Sequence, residues 1–436
     1  MKTYLFKQID NAPLIVFRIF FGFLIACESF GAIATGWVKA NLIDLKYTFP
    51  FIGFEWIKPL PENGMFYYFV LMGILGVIIM LGYYYRLAIT LYTILWAGVY
   101  FMQKTTYNNH YYLLLIISFF MIFLPANQFA SIDVKQGRIN KKLSMPYWIS
   151  IVFIAQIAIL YFYASIAKLY PDWLYGTFTK NLLSSSNLFP SFKNIFSKPW
   201  FYLFIAYAGI FFDLLIVPFL LFKKTRTIAL LASLIFHLFN AIFLQIGIFP
   251  FFALSFSLFF YEPEKIRNWF LKRKPKIEWS SDSKNNLYGK KLVFYIFLPF
   301  LVLQLLLPLR HYLIKGDVLW TEEGHRLSWR MMLRERSGYI NIKIKDNNTN
   351  EVFIYNYNKD LTPYQAKNLA TKPDFIWQYC QRIKKEYTNK NISIYIDCKN
   401  SINRSEYKTL IDPKQDFVKA KWNYFFHNDW ILLHEF

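Results

Sequence analysis

The chain has 436 residues, of which 56% are hydrophobic and 21% aromatic, against roughly 45–50% apolar in ordinary soluble domains. The formal net charge is +22, which raises nucleic acid as a partner. The distribution argues against it: residues 1–312 hold 29 Lys/Arg and 12 Asp/Glu, with most of the basic residues in short stretches between hydrophobic blocks. That pattern orients membrane proteins.

In chain order, hydrophobic segments fall at about 13–34, 64–85, 87–104, 109–126, 147–168, 200–222, 227–246, 247–261 and 292–311. Most are near the twenty or so residues that cross a hydrocarbon core. Gly247 and Pro250 alone separate the seventh from the eighth. The first block lacks a small-residue cleavage site, so no cleavable signal peptide is expected. With the N-terminus inside, inner loops carry 19 basic residues and outer loops eight, which favours that orientation. Nine crossings then put the C-terminal part outside.

Two outer connections are long and aromatic. Residues 35–63 contain Phe49-Pro50-Phe51 and Lys58-Pro59-Leu60-Pro61, and residues 169–199 run through Tyr170-Pro171-Asp172-Trp173 and Leu188-Phe189-Pro190. Both suit an interfacial cap. The inner linker 262–291 is charged and expected to be only partly ordered. Beyond residue 312, alternation at 339–344, 352–357 and 392–396 predicts strands, with a helical stretch over 363–390 between the last two. The expected architecture is a multi-pass α-helical membrane bundle of about nine helices (1–312), followed by an extracytoplasmic β-rich domain (313–436). Cys380 and Cys398 share that domain and form a candidate disulfide, while Cys27 stands apart. No CxxC, HExxH or haem-type histidine spacing occurs, so no metal centre is expected.

Polar side chains inside apolar spans are costly and call for a reason. Arg18, Glu28, Asn108, Asn109, His110, Gln156, Ser165, Lys168, Asp213, His237, Asn240 and Gln245 are of this kind. Lys168 follows an apolar helix and precedes Leu169-Tyr170-Pro171-Asp172-Trp173. It reads either as a snorkelling interfacial lysine or as an amine desolvated by aromatic neighbours and available as a general base. His110 lies at the same membrane face, where Asn108 or Asn109 suits a helix cap. Asp213 and Arg18 are a candidate ion pair, and His237, Asn240 and Gln245 are candidates for interhelical hydrogen bonds. These residues alone leave a membrane enzyme, a transporter and a quinone-binding redox partner open.

An ordered set of stretches narrows the choice. Phe17-Arg18-Ile19-Phe20-Phe21-Gly22, Lys104 through His110, Ala167 through Trp173, Asp213-Leu214-Leu215, Phe236 through Asn240 and Gly247-Ile248-Phe249-Pro250 succeed one another. Gly324 through Met332 and Ile411-Asp412-Pro413 follow. Together they resemble the vitamin K-dependent gamma-glutamyl carboxylase family in its bacterial branch, which has a horizontally transferred transmembrane domain. The resemblance implies a membrane enzyme that oxidises vitamin K or menaquinone hydroquinone with oxygen to the epoxide. The strongly basic alkoxide so formed takes a γ-proton from a protein glutamate, and the carbanion adds carbon dioxide. It implies Lys168 as the base toward the hydroquinone, Asn109 and His110 as orienting or oxyanion-stabilising groups, and His237, Asn240, Tyr163 and Trp173 as cofactor-contacting residues. A glutamate-containing protein or peptide would be the partner, with no metal required. Animal members have two adjacent lysines at the catalytic position, whereas here Ala167 precedes Lys168. An epoxidase without protein carboxylation, and a non-enzymatic transporter or lipid-binding protein, are the alternatives. The Lys-, Asn- and Ile-rich composition points to a bacterial inner membrane.

Overall fold

The computed structural model describes residues 2–184, 193–244, 247–277, 287–331 and 333–434. Leu188, Phe189, Pro190, Gln245, Met332 and positions 278–286 of the charged linker lie outside the described residues. The apolar blocks form α1 (Ala12–Ala34), α2 (Gly64–Leu81), α3 (Tyr85–Met102), α4 (Asn109–Phe123), α5 (Trp148–Ile166), α6 (Pro199–Leu221), α7 (Arg226–Leu244), α8 (Phe249–Ser255) and α9 (Gly289–Leu313). Six of these are long and apolar enough to cross a membrane: α1, α2, α3, α5, α6 and α9. The apolar stretches Asn109–Phe123 in α4, Arg226–Ile242 in α7 and Phe249–Phe259 at α8 are shorter. The α8 helix with its tight extension to Phe259 reaches only about 16 Å at 1.5 Å per residue, well short of a hydrocarbon core of ~30 Å.

Side-chain contacts sort the connections into two ends. At one end, strand β1 (Gln8–Asp10) pairs antiparallel with β2 (Ser144–Pro146). Asp10 there accepts from Lys274 and, at 3.3 Å, from Arg267. Lys274 also donates to the Leu143 carbonyl at 2.9 Å. Arg226, which opens α7, meets Glu262 at 3.2 Å, so the chain that leaves this end through α7 returns to it after α8. The charged linker is therefore ordered where it meets this end, with a helix over Pro263–Phe270. Arg18 does not pair with Asp213 as expected. Its guanidinium donates to the carbonyls of Ala126 (3.1 Å) and Ala130 (2.6 Å), in the turn that follows α4, so it satisfies loop oxygens rather than a carboxylate.

At the other end sits the C-terminal unit. Strands β3 (Arg336–Asp346), β4 (Val352–Ile354), β5 (Ile392–Ile402) and β6 (Lys408–Thr409) form one antiparallel sheet in the order β4-β3-β5-β6. Two of its strands are long and run in register from Arg336 opposite Ile402 to Asp346 opposite Ile392. It is a small sheet backed by helices rather than a β-rich domain, and the predicted strand at 352–357 ends at Ile354. The predicted helical stretch is two helices, α10 (Pro363–Thr371) and α11 (Pro373–Glu386). Pro373 disfavours helical geometry at the residue before it, and Lys372 is extended at φ −131°. Alternation places Ile340, Ile342, Ile344, Ile394, Ile396 and Cys398 in one core with Phe375, Tyr379 and Ile383 of α11. Cys380 and Cys398 are both buried free thiols, not a disulfide.

This unit is seated on the bundle. Phe49 of the long 35–63 connection packs on Phe375 with ring centres 4.6 Å apart. Gln365 donates to the Tyr47 carbonyl at 2.6 Å and Gln378 to that of Pro50 at 3.1 Å. Lys104, in the turn between α3 and α4, reaches Asp374 at 2.6 Å with both side chains buried.

Candidate active site

Lys168 lies just past the end of α5, where the turn into Pro171 redirects the chain. Only 7% of it is exposed, so it does not snorkel. Its ammonium donates to Asp213 Oδ2 at 2.5 Å and to the Ala164 carbonyl at 3.0 Å, and lies 5.4 Å from the centre of the Trp173 ring. Trp173 is held in turn by its indole N–H on the Ala206 carbonyl at 3.0 Å and by stacking on Phe178. The sequence presented Lys168 and Asp213 separately, 45 residues apart, and only the packing of α5 on α6 joins them.

Two turns back on the same face of α5, the Tyr161 hydroxyl meets His237 Nε2 at 3.0 Å. Spacing by seven residues was the available signal for Tyr161, and sequence reasoning passed over it. His237 Nδ1 is buried and, among the described residues, has no hydrogen-bond partner. Phe212, beside Asp213 on α6, packs against both Tyr161 and His237. Phe249 bridges the two histidines, stacked on His110 at 3.7 Å and edge-on to His237 at 6.3 Å. His110 and His237, predicted independently, thus share one aromatic neighbour.

The remaining predicted residues sit around this core. Asn108, not Asn109, caps α4, accepting from Tyr111 N–H at 2.7 Å. Asn109 joins the bundle to the C-terminal unit: its amide donates to the Arg330 carbonyl at 2.9 Å, and its oxygen accepts from Tyr107 at 3.1 Å. The Tyr107 hydroxyl accepts from Leu327 N–H at 2.8 Å. Tyr163 donates to the Leu305 carbonyl of α9 at 2.5 Å, away from the Lys168 pair. Asn240 is half-buried on α7, one turn past His237. Asn109 and His110 also line a cavity of about 610 Å³ between the bundle and the C-terminal unit.

The fold and these contacts define a polytopic membrane protein with a buried polar site beneath a sheet-bearing C-terminal cap. Residues 6–265 match the HTTM domain family and residues 289–435 match the vitamin K-dependent gamma-carboxylase lumenal domain. The chain belongs to the vitamin K-dependent gamma-glutamyl carboxylase family. The lumenal-domain match begins at α9, before the sheet. No solved structure matches the chain.

Proposed function

We propose that the chain is a membrane carboxylase that couples oxygen-dependent epoxidation of vitamin K or menaquinone hydroquinone to carboxylation of protein glutamate. In this reading residues 1–312 are the catalytic bundle of nine crossings, and residues 313–436 form an extracytoplasmic domain. The N-terminus is cytoplasmic, in a bacterial inner membrane. The buried Lys168–Asp213 pair against Trp173 is the observation that carries the proposal, because a desolvated amine–carboxylate pair can hold or accept one proton at a fixed atom.

The residues suit a hydroquinone. His237 has an unused ring nitrogen among the described residues, and Phe212, Phe249 and Trp173 offer flat apolar surfaces. Lys168 would take or hold the proton of a hydroquinone hydroxyl, with Asp213 orienting the amine. Tyr161 fixes the ring of His237, and Phe249 fixes that of His110. When bound, the hydroquinone supplies electrons to oxygen and a strong base, so that hydroquinone, oxygen, carbon dioxide and glutamate become epoxide, water and γ-carboxyglutamate. The surrounding apolar side chains keep bulk water from the reacting groups. Asn109 and His110, on the wall of the 610 Å³ cavity, face the side from which a protein glutamate arrives.

One assay tests both halves. Purified protein receives reduced quinone, oxygen, labelled bicarbonate and a Glu peptide, and epoxide and label incorporation are measured together. Both products are expected in equal amounts. Epoxide without label would establish the epoxidase alternative, and neither product would reject the proposal.

A further inference from the structure

The cavity between the bundle and the C-terminal unit is lined by an excess of cations, and most of them are already used. Arg326 binds Asp374 at 2.9 Å. Arg334 and Arg336 both bind Glu322. Arg330 is different: it is only 7% exposed, and among the described residues no carboxylate lies within ion-pair distance of it. One of its terminal nitrogens contacts His311 Nε2 at 3.3 Å. His311 Nδ1 faces the Pro308 carbonyl at 2.7 Å, so Nδ1 is the donor and Nε2 a neutral acceptor. The Nε–H of Arg330 is buried and unpartnered. Burial and the neighbouring Arg334 pull the Arg330 pKa down to about 10, still far above physiological pH. A buried, charged guanidinium with no carboxylate beside it is unfavourable, and this one stands in the wall of a 610 Å³ space large enough for a side chain to enter.

Resting on the carboxylase reading above, we infer that Arg330 is the anchor for the side-chain carboxylate of the incoming glutamate, placed beside Asn109 and His110. A fork of N–H donors matches a carboxylate in geometry and charge. The position is fixed through the backbone, because the Arg330 carbonyl accepts from Asn109. The chemistry also calls for such a group. Breaking the γ C–H bond leaves its electron pair conjugated with a carboxylate that is already negative, and the pair then forms the new C–C bond to carbon dioxide. A guanidinium on that carboxylate offsets the second charge as it develops. Lys372 adds positive charge at the same cavity: its ammonium is bound to the Asn368 side-chain oxygen at 2.7 Å and is half-buried. It favours further acidic residues flanking the one that reacts.

The test is a binding measurement that needs no turnover. A labelled Glu-rich peptide and its Gln-rich counterpart are titrated onto the detergent-purified full chain, and onto Arg330→Met, Arg330→Lys and Lys372→Gln. The wild type should prefer the Glu peptide. Arg330→Met should weaken that peptide on the order of thirtyfold, as expected when one partner of a buried charge pair is removed, and leave the Gln peptide unchanged. Arg330→Lys should recover part of the loss. Lys372→Gln, which empties no packed site, should weaken the Glu peptide about threefold. Equal binding of the two peptides by the wild type, or unaltered Glu-peptide binding in Arg330→Met or in Lys372→Gln, overturns the assignment. A wild type that discriminates the peptides yet forms no γ-carboxyglutamate leaves the anchor standing and removes the carboxylase reading instead.

Discussion

Lys168 was visible in the sequence as a charge out of place, and its neighbours Tyr170, Trp173 and Pro171 hinted at a pocket. Its partner was not visible, because Asp213 had an equally plausible cation in Arg18. The structure separates the two by giving Arg18 to the carbonyls of Ala126 and Ala130 and Asp213 to Lys168. Two expectations follow for the proposed activity. Lys168→Ala should lower epoxide formation by about 10²–10⁴, the usual contribution of a positioned acid–base group, and full activity in that variant would remove Lys168 from the mechanism. Asp213→Asn keeps the shape and removes the charge, so it should displace the pH–rate profile of epoxide formation. A rate lowered equally at every pH would mean that Asp213 is only a packing partner.

The elements follow from patterns of different strength. The first two spans pack so closely that a Cβ on Gly76 would stand 2.7 Å from the backbone nitrogen of Ala26, and one on Gly22 would stand 2.4 Å from that of Met80. Small residues at these positions let two backbones approach where no water-driven force gathers helices. Gly76→Val should therefore lower the thermal midpoint in detergent by several degrees, since the obstructing atoms are main chain and cannot turn aside. An unchanged midpoint would show that α1 and α2 are free to separate. In the C-terminal unit, alternation located β3 and β5, whose inward isoleucines are buried in register. It overextended the 352 run, where Val352, Phe353 and Ile354 are all exposed on an edge strand, and period alone does not tell an edge from a centre. The division of α10 from α11 was legible at Pro373, from its restriction of Lys372.

For the whole molecule, the decisive contacts join the bundle to its cap. Burial alone would raise the pKa of Asp374, but Arg326 and Lys104 outweigh it and hold the carboxyl at about 2. This folded value lies below the ~3.9 of an unfolded aspartate. The stabilisation is therefore complete above about pH 4 and lost as the pH falls from there toward 2. Thermal midpoints measured across that range should fall in the wild type and much less in Asp374→Asn. At neutral pH, Asp374→Asn should cost about 3–5 kcal/mol, because it strands two buried cations, and Lys104→Met should cost less, because Asp374 keeps Arg326. The orientation is tested by impermeant maleimide on intact cells. Lys39→Cys should label and Lys224→Cys should not, beyond the background from Cys27; the reverse pattern would invert the proposed topology. Because the Arg226–Glu262 contact closes α7 and α8 into a return to one end, the opposition of the two ends does not depend on how α8 is counted.

Composition and patterning, by themselves, determined that this chain belongs in a bilayer, where its apolar blocks run, which loops are basic and that strands follow near the C-terminus. Those properties are local, being sums over a window or a period. An ordered set of short motifs also pointed to the family. The tertiary structure alone decided which polar groups face one another: Lys168 with Asp213, Tyr161 with His237, both histidines on Phe249, Asn109 on the cap, and Arg330 without a counter-ion among the described residues. Each of these depends on the packing of helices far apart in the chain, and a buried charge takes whatever partner that packing brings within about 3 Å. No residue's own neighbours in sequence record that choice.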